Sequence, residues 1–150
     1  MRMTANESNE RNARFSPDGK WVVFSSADSG RDEIQIVPFD PSRPVSSGKV
    51  AVSQEGGYEP VWRKDGKEIF YLSPDGKMMA VPVKSLSPIE VGKPKPLFDV
   101  RGVSDFPPSY DVTRNAKRFL VNRSVGEGKP GHVLVIANWE ALLKHSAGNR

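Results

Sequence analysis

The sequence holds no cysteine, only two histidines and no long apolar run among its 150 residues. The first absence excludes disulfides, thiolate zinc sites and cysteine nucleophiles, and it leaves the compartment open, because a cysteine-free chain suits cytosol and periplasm equally. His132 opens an apolar stretch and His145 lies in a polar tail. Neither has a neighbour at a ligand spacing, so no metal centre, cofactor or histidine-based triad is expected. No segment approaches the ~20 apolar residues that a spanning helix needs. Residues 1–8 lack the apolar core of a signal peptide. The expectation is a soluble chain with no membrane insertion. Lysine and arginine exceed aspartate and glutamate by 22 to 18, and the basic residues are scattered, many beside turns. Nucleic-acid binders concentrate such charge on one face or arm, so no nucleic-acid partner is expected.

Catalytic signatures are absent as well. The Gly-x-Ser-x-Gly elbow of a serine hydrolase does not occur, nor does the glycine loop, lysine strand and aspartate set of a kinase. Gly126-Glu127-Gly128-Lys129-Pro130 ends in proline without a Ser or Thr for magnesium, and reads as a hairpin loop. No catalytic residue is assigned, and the chain is expected not to be an enzyme by itself.

What the sequence does have is turns between short apolar runs. Its 13 prolines and 13 glycines are spread along the chain, the texture of a turn-rich β protein. Arg14-Phe15-Ser16-Pro17-Asp18-Gly19-Lys20-Trp21-Val22-Val23-Phe24 reads as strand, tight turn, strand. Proline presets φ, aspartate bonds the backbone downstream, and glycine accepts positive φ. Val61-Trp62-Arg63-Lys64-Asp65-Gly66-Lys67-Glu68-Ile69-Phe70-Tyr71 repeats it 47 residues on, counting from Gly19 to Gly66. The turn alone recurs at Ser73-Pro74-Asp75-Gly76-Lys77. A worn copy stands at Asp111-Val112-Thr113-Arg114-Asn115-Ala116-Lys117-Arg118-Phe119-Leu120-Val121, where Ala116 falls on the glycine position at a cost of about 1 kcal/mol. The turn residues Pro17, Asp18, Gly19, Asp65, Gly66, Pro74, Asp75 and Gly76 are read as structural. The carboxylates cap turns instead of holding calcium, for which EF-hand-like spacing is missing.

Four strands per ~45 residues around such a turn is the pattern of a propeller blade, and a blade must stack on neighbours to bury its faces. The predicted fold is all-β, a partial β-propeller of about three four-stranded antiparallel blades at residues 13–53, 58–100 and 109–139. Residues 1–12 are read as the tail of a preceding blade or disordered, residues 13–145 as the partial propeller, 139–144 as a short helix within it, and 146–150 as a disordered tail. Residues 84–95 are read as a loop. Phe15, Trp62 and Val112, together with Val23, Phe70 and Leu120, are expected to pack between blades.

The Arg14 to Phe24 motif closely resembles the WD-like propeller repeat of TolB and its relatives. The repeat also occurs in the propeller of prolyl-oligopeptidase-type peptidases and in the C-terminal region of bacterial serine/threonine kinases of eukaryotic type. The ending from His132 to Lys144 is similar to the kinase-associated version. The resemblance implies a fragment of a ring of six or more blades, a periplasmic or extracytoplasmic setting, and a protein or peptide partner on the ring face. The remaining blades would come from a parent chain or from self-association. A non-catalytic interaction module is the leading functional reading, with the regulatory part of a kinase or the propeller of a peptidase as alternatives. Tyr58-Glu59-Pro60 and Ser109-Tyr110-Asp111 precede the innermost strands at equivalent places, so Tyr58, Glu59, Tyr110 and Asp111 are the expected partner contacts.

Overall fold

The computed structural model describes residues 9–42, 48–103, 107–123 and 132–137. The expected strand end at 1–4, the loop at 124–131, the helix at 139–144 and the tail lie outside these residues. Among the described residues twelve strands form three antiparallel sheets, the all-β propeller-blade architecture expected. The first sheet runs β1 (Glu10–Phe15), β2 (Trp21–Ser26), β3 (Glu33–Pro38) and β4 (Val50–Ala51) in sequence order. The second holds β5 (Tyr58–Trp62), β6 (Glu68–Leu72), β7 (Lys77–Leu86), β8 (Ile89–Val91) and β9 (Lys95–Asp99), with both β8 and β9 paired to β7. The third holds β10 (Tyr110–Val112), β11 (Arg118–Arg123) and β12 (His132–Ala137).

One turn chemistry joins these strands four times. The glycine-position amide donates to the carbonyl three residues back in every copy: Gly19 to Ser16 at 2.9 Å, Gly66 to Arg63 at 2.9 Å, Gly76 to Ser73 at 3.0 Å and Ala116 to Thr113 at 2.8 Å. The acidic or amide side chain accepts from the amide that follows, as Asp18 does from Lys20 at 3.2 Å and Asn115 from Lys117 at 3.1 Å. Ala116 takes the expected left-handed conformation at φ 57°. Its methyl is buried in the core, and that contact offsets the strain.

Strand alternation decides which blade each side chain meets. Val23, Ile34, Ile36 and Val52 of the first sheet close against Trp62, Ile69, Tyr71 and Val81 of the second. The opposite face of the second sheet, with Phe70, Leu72, Met78 and Ala80, closes against Phe119 and Val121 of the third. Phe119 is fully buried and meets Phe70 and Phe98 edge to face at 5.1 and 5.2 Å. Trp21 Nε1 reaches over from the first sheet to donate to the Leu86 carbonyl at 3.1 Å.

Several expectations change. Residues 84–95 are not a plain loop, because β7 continues to Leu86 and turns back through β8 as an added hairpin. Pairing to β2 begins at Glu10, so β1 takes in residues assigned to a preceding tail. Of the six positions expected between blades, Val23, Phe70 and Trp62 are buried, whereas Phe15 is 58% exposed and Leu120 44% exposed, and Val112 is half-buried. Phe15 instead stacks edge-on with Phe39 at 4.9 Å. Leu120 pairs across strands with Val135, itself 59% exposed, on the face of the third sheet turned away from the second. The repeat gives Leu120 the type of an inter-blade residue, and the described residues place no sheet against it.

Candidate partner-binding groove

The first strand of each sheet lies at one of its edges, and two of the three carry the same irregularity. Pairing shifts register between Arg11 and Arg14 in β1 and between Tyr58 and Val61 in β5. Asn12 and Glu59 sit in these bulges at φ 55° and 52°. A bulge re-aims side chains, and here it turns the Glu59 carboxylate toward the next sheet. That carboxylate accepts from the Ser109 amide at 2.7 Å and the Ser109 hydroxyl at 2.5 Å. The Tyr110 hydroxyl donates to the Glu59 carbonyl at 2.7 Å. Burial, reinforced by the Glu59 charge and partly offset by Arg14, raises the Tyr110 phenol well above its ordinary pKa. Tyr58 donates its hydroxyl to the Ser73 carbonyl at 3.1 Å.

The four residues expected to meet a partner are thus differently placed. Glu59 and Tyr110 clasp the second sheet to the third, Tyr58 ties strand β5 to the turn after β6, and Asp111 is exposed. Tyr110 and Asp111 line a groove of about 420 Å³ that crosses the first strands of the three sheets. Arg14 and Phe15 of β1, Trp62 of β5 and Lys64 of the following turn complete its working surface.

Two properties make this groove a candidate contact site, and Trp62 lines it as well. It exposes Phe15, the kind of aromatic surface that anchors interfaces. Arg14 and Lys64 against Asp111 leave an excess of one positive charge among its ionic side chains. Trp62 is 5% exposed, and its Nε1 is buried with no acceptor among the described residues. A buried donor without a partner costs about 1–3 kcal/mol. Spacing shows how these residues align: Arg14, Val61 and Asp111, like Phe15, Trp62 and Val112, differ by 47 and then 50 positions. Reading down the aligned repeats would have found Arg14 and Lys64, which copy-by-copy reading passed over as surface charge. Among the described residues no three His, Cys, Asp or Glu side chains group as metal ligands.

No protein-family model matches the sequence, and no curated protein matches it. Solved structures do. TolB from Acinetobacter baumannii superposes with a TM-score of 0.62 at 18% identity, over 92% of this chain and 32% of that one. The oligogalacturonate lyase VPA0088 from Vibrio parahaemolyticus gives 0.59 at 15% identity, over 81% of this chain and 31% of that one. The chain has the fold of TolB-like propeller blades and spans about a third of the length of these structures.

Proposed function

We propose that this chain is a non-catalytic interaction segment of a TolB-like propeller, and that the groove across β1, β5 and β10 receives an extended, acidic segment of a partner protein. The observation that carries the reading is the convergence of Arg14, Lys64, exposed Phe15 and the Trp62 side chain on one groove. Carboxylates complement the two cations, and the exposed Phe15 ring supplies an aromatic anchor for the same segment. Asp111, from the expected contact set, discriminates against like charge at the third side. Additional blades cover the exposed Leu120 and Val135 face, supplied by a parent chain or by further copies, since a blade face of this kind otherwise stays wet. An extracytoplasmic setting accords with this reading, as does a kinase or peptidase parent.

Titration of the protein with a panel of acidic and charge-neutral decapeptides, followed by tryptophan fluorescence, tests the site. Acidic peptides are expected to bind saturably, to weaken as salt rises, and to lose binding in the double variant Arg14→Glu, Lys64→Glu. Equal response to neutral peptides, or unchanged affinity in the double variant, would refute the assignment.

A further inference from the structure

A second concavity, of about 460 Å³, opens at the junction between the first and second sheets. It lies between the loop that leaves β4 and the turn joining β6 to β7, and it shares no residue with the groove. We infer that this cleft binds a primary ammonium or guanidinium group carried on an aliphatic stem.

The cleft is built and held open. Glu33 accepts from the Ser53 hydroxyl, from the Gly56 amide at 3.0 Å and from Arg31 Nε at 2.6 Å. Arg31 also donates to the Gln54 carbonyl at 2.7 Å. These bonds pin the loop carrying Glu55. Gly56, at φ 93°, presses on the turn so closely that an added Cβ would stand 2.7 Å from Pro74 Cγ. The two walls are therefore fixed relative to one another before any ligand arrives.

Its chemistry points to a cation. Asp75 is paired with Lys77 at 2.5 Å, and Glu33 with Arg31 at 2.6 Å. Glu55, on the rim, makes no ion pair among the described residues, so one negative charge is left unmatched. Tyr71 lines the same cleft, is 2% exposed, and its hydroxyl has no hydrogen-bond partner among the described residues. The phenol of a largely buried tyrosine and an unmatched carboxylate, both lining the cleft, offer two acceptors to an N–H-rich head group. Pro74, Pro94, Pro96 and Met79 supply an apolar wall for a methylene stem, as basic side chains and polyamines have. The same negative surroundings show in the phenol itself: burial and the charges of Glu33, Glu55 and Asp75 push Tyr71 from 10.0 up to about 12, so it is neutral and able to accept at pH 7.

A free small amine and a lysine or arginine side chain of a peptide share this chemistry, and the test separates them. The isotope-labelled full chain is titrated with agmatine, with an acetyl-Gly-Arg-Gly amide, and with N-butylurea as an uncharged counterpart, while backbone amide signals of Gly56, Gly76 and Lys77 are followed. Saturable shifts at these amides are expected from at least one cation and not from N-butylurea. Agmatine binding as tightly as the peptide identifies a small-amine site, and binding of the peptide alone identifies a side-chain site. Glu55→Gln and Tyr71→Phe should each weaken the cation roughly tenfold, the loss of one charge-assisted or buried hydrogen bond. Tyr71→Phe should melt like the parent, because its hydroxyl holds no protein partner. Arg14→Glu, Lys64→Glu, which disables the groove, should leave cation binding unchanged. Absence of saturable shifts with both cations, equal shifts with N-butylurea, or full affinity in Glu55→Gln would overturn the inference.

Discussion

Val23, Phe70 and Leu120 occupy one repeat position in three successive sheets, so truncating the last two compares the same local structure in two environments. Phe70 is fully buried between sheets, in edge contact with Phe119 at 5.1 Å. Phe70→Ala removes that contact and leaves a cavity, a loss of about 3–5 kcal/mol. Leu120 is 44% exposed. A fully buried leucine contributes about 1.5–3 kcal/mol, so with nearly half of its surface already in water Leu120→Ala should cost roughly 1 kcal/mol. Urea unfolding at low protein concentration measures both. With a slope of about 2 kcal/mol per molar, Phe70→Ala lowers the midpoint by roughly 2 M and Leu120→Ala by roughly 0.5 M. The slope itself should not change, since neither substitution alters how much chain unfolds. If Leu120→Ala costs as much as Phe70→Ala in dilute solution, the face is covered within the chain and the reasoning fails. If its cost grows with protein concentration, copies of the chain are covering the face, because association stabilises by mass action.

Four further outcomes are expected. Gly57→Ala places a methyl 2.7 Å from Tyr71 Cδ2 and 2.8 Å from Ile34 Cγ1, one from each sheet, and overpacking should cost about 1–3 kcal/mol, whereas Gly19→Ala meets nothing within 4 Å and loses only about 1 kcal/mol to its φ of 71°; thermal melts of the pair distinguish crowding from backbone strain. Glu59→Ala breaks the clasp to Ser109 and should destabilise by about 2 kcal/mol, with Glu59→Gln intermediate in the same denaturant assay. Ala116→Gly relieves the left-handed strain but removes a buried methyl worth about 0.8 kcal/mol, so its unfolding midpoint should stay close to the parent's. For pH, the folded state holds the Tyr71 proton more tightly than the unfolded chain, because burial and nearby carboxylates disfavour the phenolate; this group leaves stability unchanged below pH 10 and lowers it as pH rises toward about 12. Asp18, lowered chiefly by the Ser16 hydroxyl, and Asp75, lowered chiefly by Lys77, run the other way: their contribution is present above the ordinary value of 3.8 and fades as pH falls below it. Stability scanned against pH, with phenolate absorbance followed on the alkaline side, checks both limbs.

The sequence by itself determined the repeating unit. Ser16-Pro17-Asp18-Gly19, Lys64-Asp65-Gly66 and Ser73-Pro74-Asp75-Gly76 specify turns through bonds made within five residues, so nothing distant was needed to read them. Even the left-handed Ala116 was legible, because its place in the copied turn dictates φ whatever the residue. Short runs of β-branched and aromatic residues between turns likewise announced β2, β6 and β11, a signal that is local. Tertiary structure alone decided what each repeat position meets. Leu120 and Phe70 carry the same local signal, yet one faces water, since burial depends on whether a further sheet stands opposite. Glu59 and Tyr110 show it at the candidate site, where a bulge aims the carboxylate at Ser109, 50 residues away, and takes up in packing two side chains that their sequence neighbourhood presents as free. The two cavities were illegible for the same reason. Arg14 with Lys64, and Tyr71 with Glu55, come together only where the loops and turns of successive sheets pack side by side.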